Sequence, residues 1–175
     1  MNQVEMNKQA KLSEHFKLGE LTKTKHVTAD GNIPSHAVIE NLKRLCWWLE
    51  ELRYSYNTLY CLQSGEDYET SENVEGIVVN SGYRSPAVNK LAGGVATSNH
   101  VTGCAVDIRC VGIEQALRYA AILLDISDLN NEDYDELLIE QKGSVVWIHF
   151  AVKPSCNRRR TSLELCSLLQ RPKAD

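Results

Sequence analysis

Apolar residues recur at three- and four-residue spacing between positions 34 and 56, and they form the clearest pattern in the chain. The recurring positions are Val38, Ile39, Leu42, Leu45, Cys46, Leu49 and Leu52. This spacing puts the apolar side chains on one helical face, so it predicts a helix from Pro34-Ser35 to about Tyr56. A second amphipathic pattern predicts a helix from Ile113 to Leu124.

Shorter apolar runs predict four strands, at 77–80, 105–109, 134–141 and 145–152. Lys142-Gly143 separates the last two and indicates a hairpin. Within the fourth strand, the two-residue period puts His149 on the face of Trp147 and Ala151.

The remaining segments complete an α+β prediction. They are a partly helical lead-in at 12–25 with Ser13 as a possible N-cap, an exposed acidic loop at 63–75, a small helix opened by Ser85-Pro86 and ended by Gly93-Gly94, and a tail from Pro154 forming a partial helix. The order predicts a small antiparallel sheet with helices packed around it. We expect one domain over 1–156, with 1–26 as its lead-in and 157–175 as a C-terminal tail.

Composition narrows the class of protein. The 175 residues are 43% hydrophobic and 24% charged, with a formal net charge of −4. These values indicate a globular domain and no strong field that would attract nucleic acid or an anionic membrane. Asn157-Arg158-Arg159-Arg160 is the local exception, and we interpret it as a solvated end.

Location and redox state follow from two further features. The N-terminal MNQVEMNKQAKLSEHF has no apolar signal core, so we expect a protein made in the cytoplasm. None of the six cysteines forms a C-x-x-C pair, which indicates reduced thiols rather than a cysteine zinc site.

Two of the five histidines are candidates for a metal site. His15, His26 and His36 lie in surface-like segments, whereas His100 begins the pattern H-x-x-G-x-A-x-D that ends at Asp107. His100 and Asp107 can meet across a turn at Gly103, and His149 lies on a strand beside Trp147. Two imidazoles and a carboxylate suit Zn²⁺ with an open fourth position. The alternative is a pair of buried histidines held by hydrogen bonds.

Four ordered motifs carry a family resemblance: S-G-Y-R-S-P at 81–86, L-A-G-G at 91–94, S-x-H-x-x-G-x-A-x-D at 98–107 and W-I-H-F at 147–150. They resemble the zinc D-Ala-D-Ala peptidases of the M15 family, in particular its small phage and prophage branch. The resemblance runs from about Leu12 to Val152 and implies a hedgehog/DD-peptidase-like fold.

The resemblance also implies roles for individual residues. His100, Asp107 and His149 would be the zinc ligands. Arg84 would hold the substrate and stabilise the oxyanion, a role suited to a permanently charged donor fork. Ser98 and Tyr83 are weaker substrate-binding candidates.

The general base is less clearly indicated. Many M15 enzymes carry an acid three residues before the last histidine, but Val146 stands there. The candidates are therefore Glu140, Glu136 and Asp135 on the preceding strand. An even-length hairpin loop would pair Glu140 with Val145 and Glu136 with His149, so that both glutamates face the metal. An odd-length loop would place Asp135 there. We favour Glu140, because the phage branch tends to carry an acid at this point.

The expected function is hydrolysis of the peptide stems of bacterial peptidoglycan, by a carboxypeptidase or an endolysin-type endopeptidase. The enzyme would act on the wall after release from the cytoplasm or as a virion-associated protein. A non-catalytic, zinc-containing cell-wall-binding module of the same fold is the alternative. A phage structural or tail-associated protein is a third hypothesis, although no repeat or long coiled coil supports it.

Overall fold

A computed structural model describes residues 7–165, in which two long helices and several short ones are combined with five short strands. In chain order they are α1 (Leu18–Leu21), α2 (His36–Tyr60), β1 (Val79–Ser81), α3 (Pro86–Leu91), a 3₁₀ turn (Asn99–Thr102), β2 (Ala105–Cys110), α4 (Gly112–Asn130), β3 (Glu136–Lys142), β4 (Val145–Ala151) and β5 (Arg160–Leu165). The α+β prediction is confirmed. None of the helices in this range has the length and apolar character needed to span a bilayer.

The sheet has the strand order β1-β2-β4-β3-β5. Its first four strands are antiparallel, and β3 and β4 form the predicted hairpin through Gly143, which has a φ of 60°. The last strand, β5, pairs in parallel with β3 and makes the sheet mixed.

The partial helix predicted for the tail is therefore wrong over 160–165. These residues extend the sheet beyond the expected boundary at 156, because β3 offers a backbone edge that they can pair with. The segment is also held by Tyr134 and Asp135, whose carbonyls accept from the Arg159 and Arg160 amides at 3.0 Å. The rest of the predicted tail, 166–175, lies outside the described residues.

The two faces of the sheet divide the protein into a core and a site. Val106, Ile108, Ile148 and Phe150 point to the face covered by α2 and α4 and are fully buried. Trp48 of α2 packs on Phe150, with ring centroids 5.2 Å apart. Because side chains alternate along a strand, the residues between these apolar positions point to the opposite face.

Several predicted boundaries move by a few residues. The first strand begins at Val79 rather than Ile77, and Val78 is 49% exposed instead of buried. Helix α2 begins as expected after Ser35, whose side chain accepts a hydrogen bond from the Val38 amide. Ser13 does not cap a helix, since its hydroxyl donates to Glu50 Oε1 instead.

Candidate metal centre

His100 is held in place by two local devices. The Ser98 hydroxyl accepts a hydrogen bond from the His100 amide and caps the 3₁₀ turn, while Gly103 ends the turn with a φ of 71°. Its ring nitrogen Nδ1 lies 2.7 Å from the Gly82 carbonyl oxygen. A carbonyl only accepts, so Nδ1 carries a proton and Nε2 is the nitrogen turned towards Asp107.

The register of the sheet brings the other two candidates to the same place. Asp107 of β2 lies directly opposite His149 of β4. Asp107 Oδ1 is 3.0 Å from His149 Nδ1 and 3.2 Å from His100 Nε2. Within the described residues, these three side chains form a group able to hold a metal ion, with one ligand atom from each inside a 4.8 Å span.

This donor set fits a small divalent cation. Tetrahedral Zn²⁺ with ligands at about 2.0–2.1 Å separates its donor atoms by about 3.3 Å, close to the two separations observed. The orientation of His100 supports the same conclusion, because Nδ1 is held by the Gly82 carbonyl and Nε2 is left to face a carboxylate oxygen of Asp107. Two acceptors at this distance need a proton or a cation between them.

Arg84 supports the centre from the side of β1. Its NH2 group lies 2.7 Å from Asp107 Oδ2, and its Nε donates to the Ser81 hydroxyl at 2.8 Å. A charge-assisted contact of this kind orients the Asp107 carboxylate. Burial acts to raise the pKa of Asp107, but hydrogen bonds from both histidines outweigh it and hold that pKa well below the usual range.

His149 has an acidic partner behind its ring. Nε2 lies 3.4 Å from Glu136 Oε2, so a carboxylate faces the nitrogen that is turned away from Asp107. Burial lowers the pKa of His149, but the hydrogen bond to Asp107 and the charges of Asp107, Glu136 and Glu140 raise it overall. A histidine ligand commonly has this kind of outer carboxylate, which fixes its tautomer.

The family model described as peptidase M15 matches residues 14–125. The chain belongs to the peptidase M15 family. M15 peptidases are zinc enzymes, and the cluster of two histidines and one aspartate is a possible site for that ion. No curated protein matches the chain. The family match includes Arg84, His100 and Asp107 but ends before β3 and β4, so the place of His149 in this M15 peptidase rests on the sheet register.

The β3–β4 register decides which acids of this M15 peptidase share the metal face. Its two-residue turn pairs Lys142 with Val145, and it sets Leu138 opposite His149. Glu140 pairs with Trp147 and Glu136 with Ala151, two residues away from the predicted partners. Of the two loop lengths considered, the even one is observed, so both glutamates lie on the His149 face.

These two glutamates have different surroundings. Glu136 Oε1 lies 2.8 Å from Arg158 and 3.1 Å from Arg160, and its Oε2 accepts from Asn99 at 3.1 Å. Glu140 Oε2 accepts from the Trp147 indole at 2.6 Å. Its Oε1 has no hydrogen-bond partner among residues 7–165. Glu140 therefore has one carboxylate oxygen that can accept a further hydrogen bond or a proton. Both oxygens of Glu136 already have partners.

Asp135, the third acid considered, is fully buried beside the site. It accepts from Arg158 at 2.7 and 3.0 Å and from Asn99 at 2.9 Å, and it lies 2.8 Å from Lys153. Burial acts to raise the pKa of Asp135, but hydrogen bonds from Arg158, Lys153 and Asn99 hold it well below the usual range. Such a carboxylate is a poor proton acceptor near neutral pH.

The arginines at 158–160 are exposed, as the interpretation of a solvated end predicted, but they are also ion-paired. Arg158 pairs with Asp135 and Glu136, and Arg159 pairs with Asp128 and Asp133. Arg158, with Asn99 and Lys153, was missed as part of the site's surroundings. Only the charge of the run was visible in the sequence, because its acidic partners lie 22 or more residues earlier.

The two weaker candidates differ in their position. Ser98 lines a pocket of about 370 Å³ beside Glu136 and His149, and its hydroxyl accepts from the His100 amide. Tyr83 is 6% exposed and belongs to the hydrophobic core. Its backbone rather than its ring serves the site, because the Tyr83 amide donates to the Leu21 carbonyl at 2.7 Å and docks the Arg84 loop on the lead-in.

Proposed function

We propose that this M15 chain is a zinc-dependent peptidase that cleaves the peptide stems of bacterial peptidoglycan. The observation that carries the proposal is the cluster of His100, Asp107 and His149 beside Arg84, on a sheet face that α2 and α4 leave uncovered. M15 membership supports a peptidase acting on peptidoglycan at the level of the family. We extend it to D,D-carboxypeptidase or endolysin-type endopeptidase activity, of phage or prophage origin.

Zinc would be held by His100 Nε2, an Asp107 carboxylate oxygen and His149 Nδ1, where it would lower the pKa of water and polarise a carbonyl. Arg84 places positive charge next to the cluster. Its guanidinium has five N–H groups, and the hydrogen bonds to Ser81 and Asp107 use two of them. The others can donate to an oxyanion or a substrate carboxylate, which supplies a few kcal/mol of stabilisation.

Glu140 is our assignment for the proton acceptor. It lies on the metal face, one alternate position from Leu138, which faces His149. The Trp147 indole fixes one of its oxygens and leaves the other to take a proton from water and pass it to the leaving amine. Glu136 acts instead as the outer partner of His149.

Separate Glu140→Gln and Glu136→Gln variants test this division. We expect Glu140→Gln to lower kcat by a factor of about 10²–10⁴ with zinc content unchanged. Glu136→Gln is expected to weaken zinc binding by a factor of about 10–100. If Glu140→Gln keeps wild-type activity while Glu136→Gln loses turnover but not zinc, the two roles are reversed.

The function itself is tested by metal analysis together with mass spectrometry of digested peptidoglycan. We expect one zinc per chain, lost in His149→Ala, and new muropeptide products that the His149→Ala protein does not form. Loss of a single terminal D-alanine identifies a carboxypeptidase, whereas separated cross-linked stems identify an endopeptidase. Zinc binding without any cleavage would favour the cell-wall-binding module, an alternative motivated by Val146 at the usual position of the acid. Purified native protein without zinc would overturn the proposal.

We propose further that the protein is made in the cytoplasm and meets its substrate after release or as a virion component. The support is the family resemblance of the four sequence motifs. Fractionation of producing cells before and after lysis tests it, since secretion from intact cells would contradict this route.

A further inference from the structure

A second cavity adjoins the candidate metal centre on the side of Arg84. Its volume is about 390 Å³, and its lining includes Lys23, Lys25, His26, Arg84, Val88 and Ala92. We infer that this cavity binds a carboxylate group of the substrate, with the two lysines as its recognition elements. The inference rests on the proposed function, which it deepens by assigning a specificity site.

The charge of the lining is the first argument. Neither Asp nor Glu is among the described residues that form the cavity, whereas Lys23, Lys25 and Arg84 are. Lys23 and Lys25 are exposed, and neither forms an ion pair with any residue in the range 7–165. Arg84 is already paired with Asp107, so Lys23 and Lys25 carry the positive charge that has no internal counter-charge. Such charge attracts an anion, and ammonium groups bind carboxylates.

The second argument is that the lysine segment is fixed relative to Arg84. Asn32, which is 2% exposed, donates from its side-chain amide to the carbonyls of Thr22 and Tyr83 at 2.8 and 3.2 Å. Its side-chain oxygen accepts from the Ser85 amide at 2.7 Å. One buried side chain therefore ties the residue before Lys23 to both neighbours of Arg84.

The third argument is the position of Arg84, which belongs to both sites. It lines the cavity and contacts Asp107, so an anion bound by Arg84 lies next to the metal centre. Val88 and Ala92 give the wall beside it an apolar surface. The cavity therefore suits a carboxylate attached to a small apolar residue, which is the chemistry of a peptide ending in alanine.

The pocket on the other side of the metal centre lacks this charge. Its cations, Lys153 and Arg158, are paired with Asp135 and Glu136. A substrate carboxylate placed there would compete with existing ion pairs. The difference between the two pockets sets the direction of the bound peptide, with its carboxylate towards Lys23 and Lys25.

The test measures binding to the zinc-loaded protein by calorimetry, separately from turnover. The probe is acetyl-Lys-D-Ala-D-Ala in which a ketomethylene group replaces the D-Ala-D-Ala amide, so that this bond cannot be hydrolysed. It carries either a free terminal carboxylate or a terminal amide. A second pair ends in the amide and carries an internal γ-D-glutamyl residue or its uncharged D-isoglutamine form. Wild type is compared with two double variants, Lys23→Ala/Lys25→Ala and Lys23→Arg/Lys25→Arg. Lys142→Ala, an exposed lysine on the hairpin, is the control.

In one of the two ligand pairs, we expect wild type to bind the carboxylate form about tenfold more tightly than its uncharged counterpart. The pair that shows the preference identifies the chain end or the glutamyl group as the source of the carboxylate. The alanine double variant should reduce that preference to about twofold, while the arginine variant and Lys142→Ala retain it. An undiminished preference in the alanine variant, or no preference in wild type, overturns the inference. If the protein cleaves peptidoglycan but shows no preference for the carboxylate, the proposed function holds and this inference is wrong. If it shows the preference but does not cleave peptidoglycan, the proposed function is wrong and the carboxylate site remains.

Discussion

The close approach of Gly82 to Leu21 gives a sharp prediction for the candidate metal centre. A Cβ atom at position 82 would lie 2.3 Å from the Leu21 carbonyl oxygen, well inside the 3.0 Å limit that real Cβ contacts respect. Gly82→Ala therefore either moves the Gly82 and Leu21 backbones about 0.7 Å further apart or rotates the peptide group at position 82. The Gly82 carbonyl accepts the 2.7 Å hydrogen bond from His100 Nδ1, so the displacement moves the group that orients His100.

Two effects of different size are expected. Loss of the outer hydrogen bond should weaken zinc binding by a factor of about 10–100, as other outer partners of metal ligands do. Strain between the segments should cost about 1–3 kcal/mol of unfolding free energy. Zinc affinity is measured by competition with a chromogenic chelator, and stability by urea unfolding of the metal-free protein.

Gly76→Ala is the matched control, because a Cβ there meets no atom within 4 Å. It should leave both quantities within error of wild type. A Gly82→Ala protein that binds zinc within about twofold of wild type would refute the reasoning, since it would show that the Leu21 contact does not position His100.

Four further outcomes follow from the described contacts. Asp135→Asn should cost about 1–3 kcal/mol of unfolding free energy at pH 7, because it removes the charge that accepts hydrogen bonds from Arg158, Lys153 and Asn99. The pKa of Asp135 is lowered in the folded state. The ionised carboxylate therefore adds to the free energy of unfolding above the unfolded pKa of about 3.9, and this addition is lost as the pH falls below that value. In urea titrations, the difference in unfolding free energy between wild type and Asp135→Asn should therefore narrow towards pH 2. Asn32→Ala should destabilise the fold by about 1–3 kcal/mol in the same assay and lower kcat/KM. Leu49→Ala, in the core, should cost about 2–5 kcal/mol yet keep zinc affinity, which separates core packing from the site. Chelation should lower the Tm of wild type but not of His149→Ala, because a metal held by the folded state adds stability.

Local patterns were enough to predict most elements of the fold. The spacing of three and four residues predicted α2, since an isolated stripe of apolar side chains must be buried whatever covers it. The two-residue period separated His149 from Ile148 and Phe150, and this period does not depend on which strands pair. The turn at Gly103 and the hairpin at Lys142-Gly143 were predicted for the same reason, because turn geometry is decided within a few residues.

The sequence by itself determined the α+β class, the family, and the three candidate ligands with Arg84, since these reside in periods and short motifs. Only the tertiary structure decided which side chains meet across long separations. It paired the arginines at 158–160 with acids at 128–136, formed β5 from residues 160–165, and gave Glu136 and Glu140 different partners. It also set Lys23 and Lys25 beside Arg84. Such pairings depend on strand order and register, and these are settled by burying one sheet face as a whole, which no local stretch of sequence encodes.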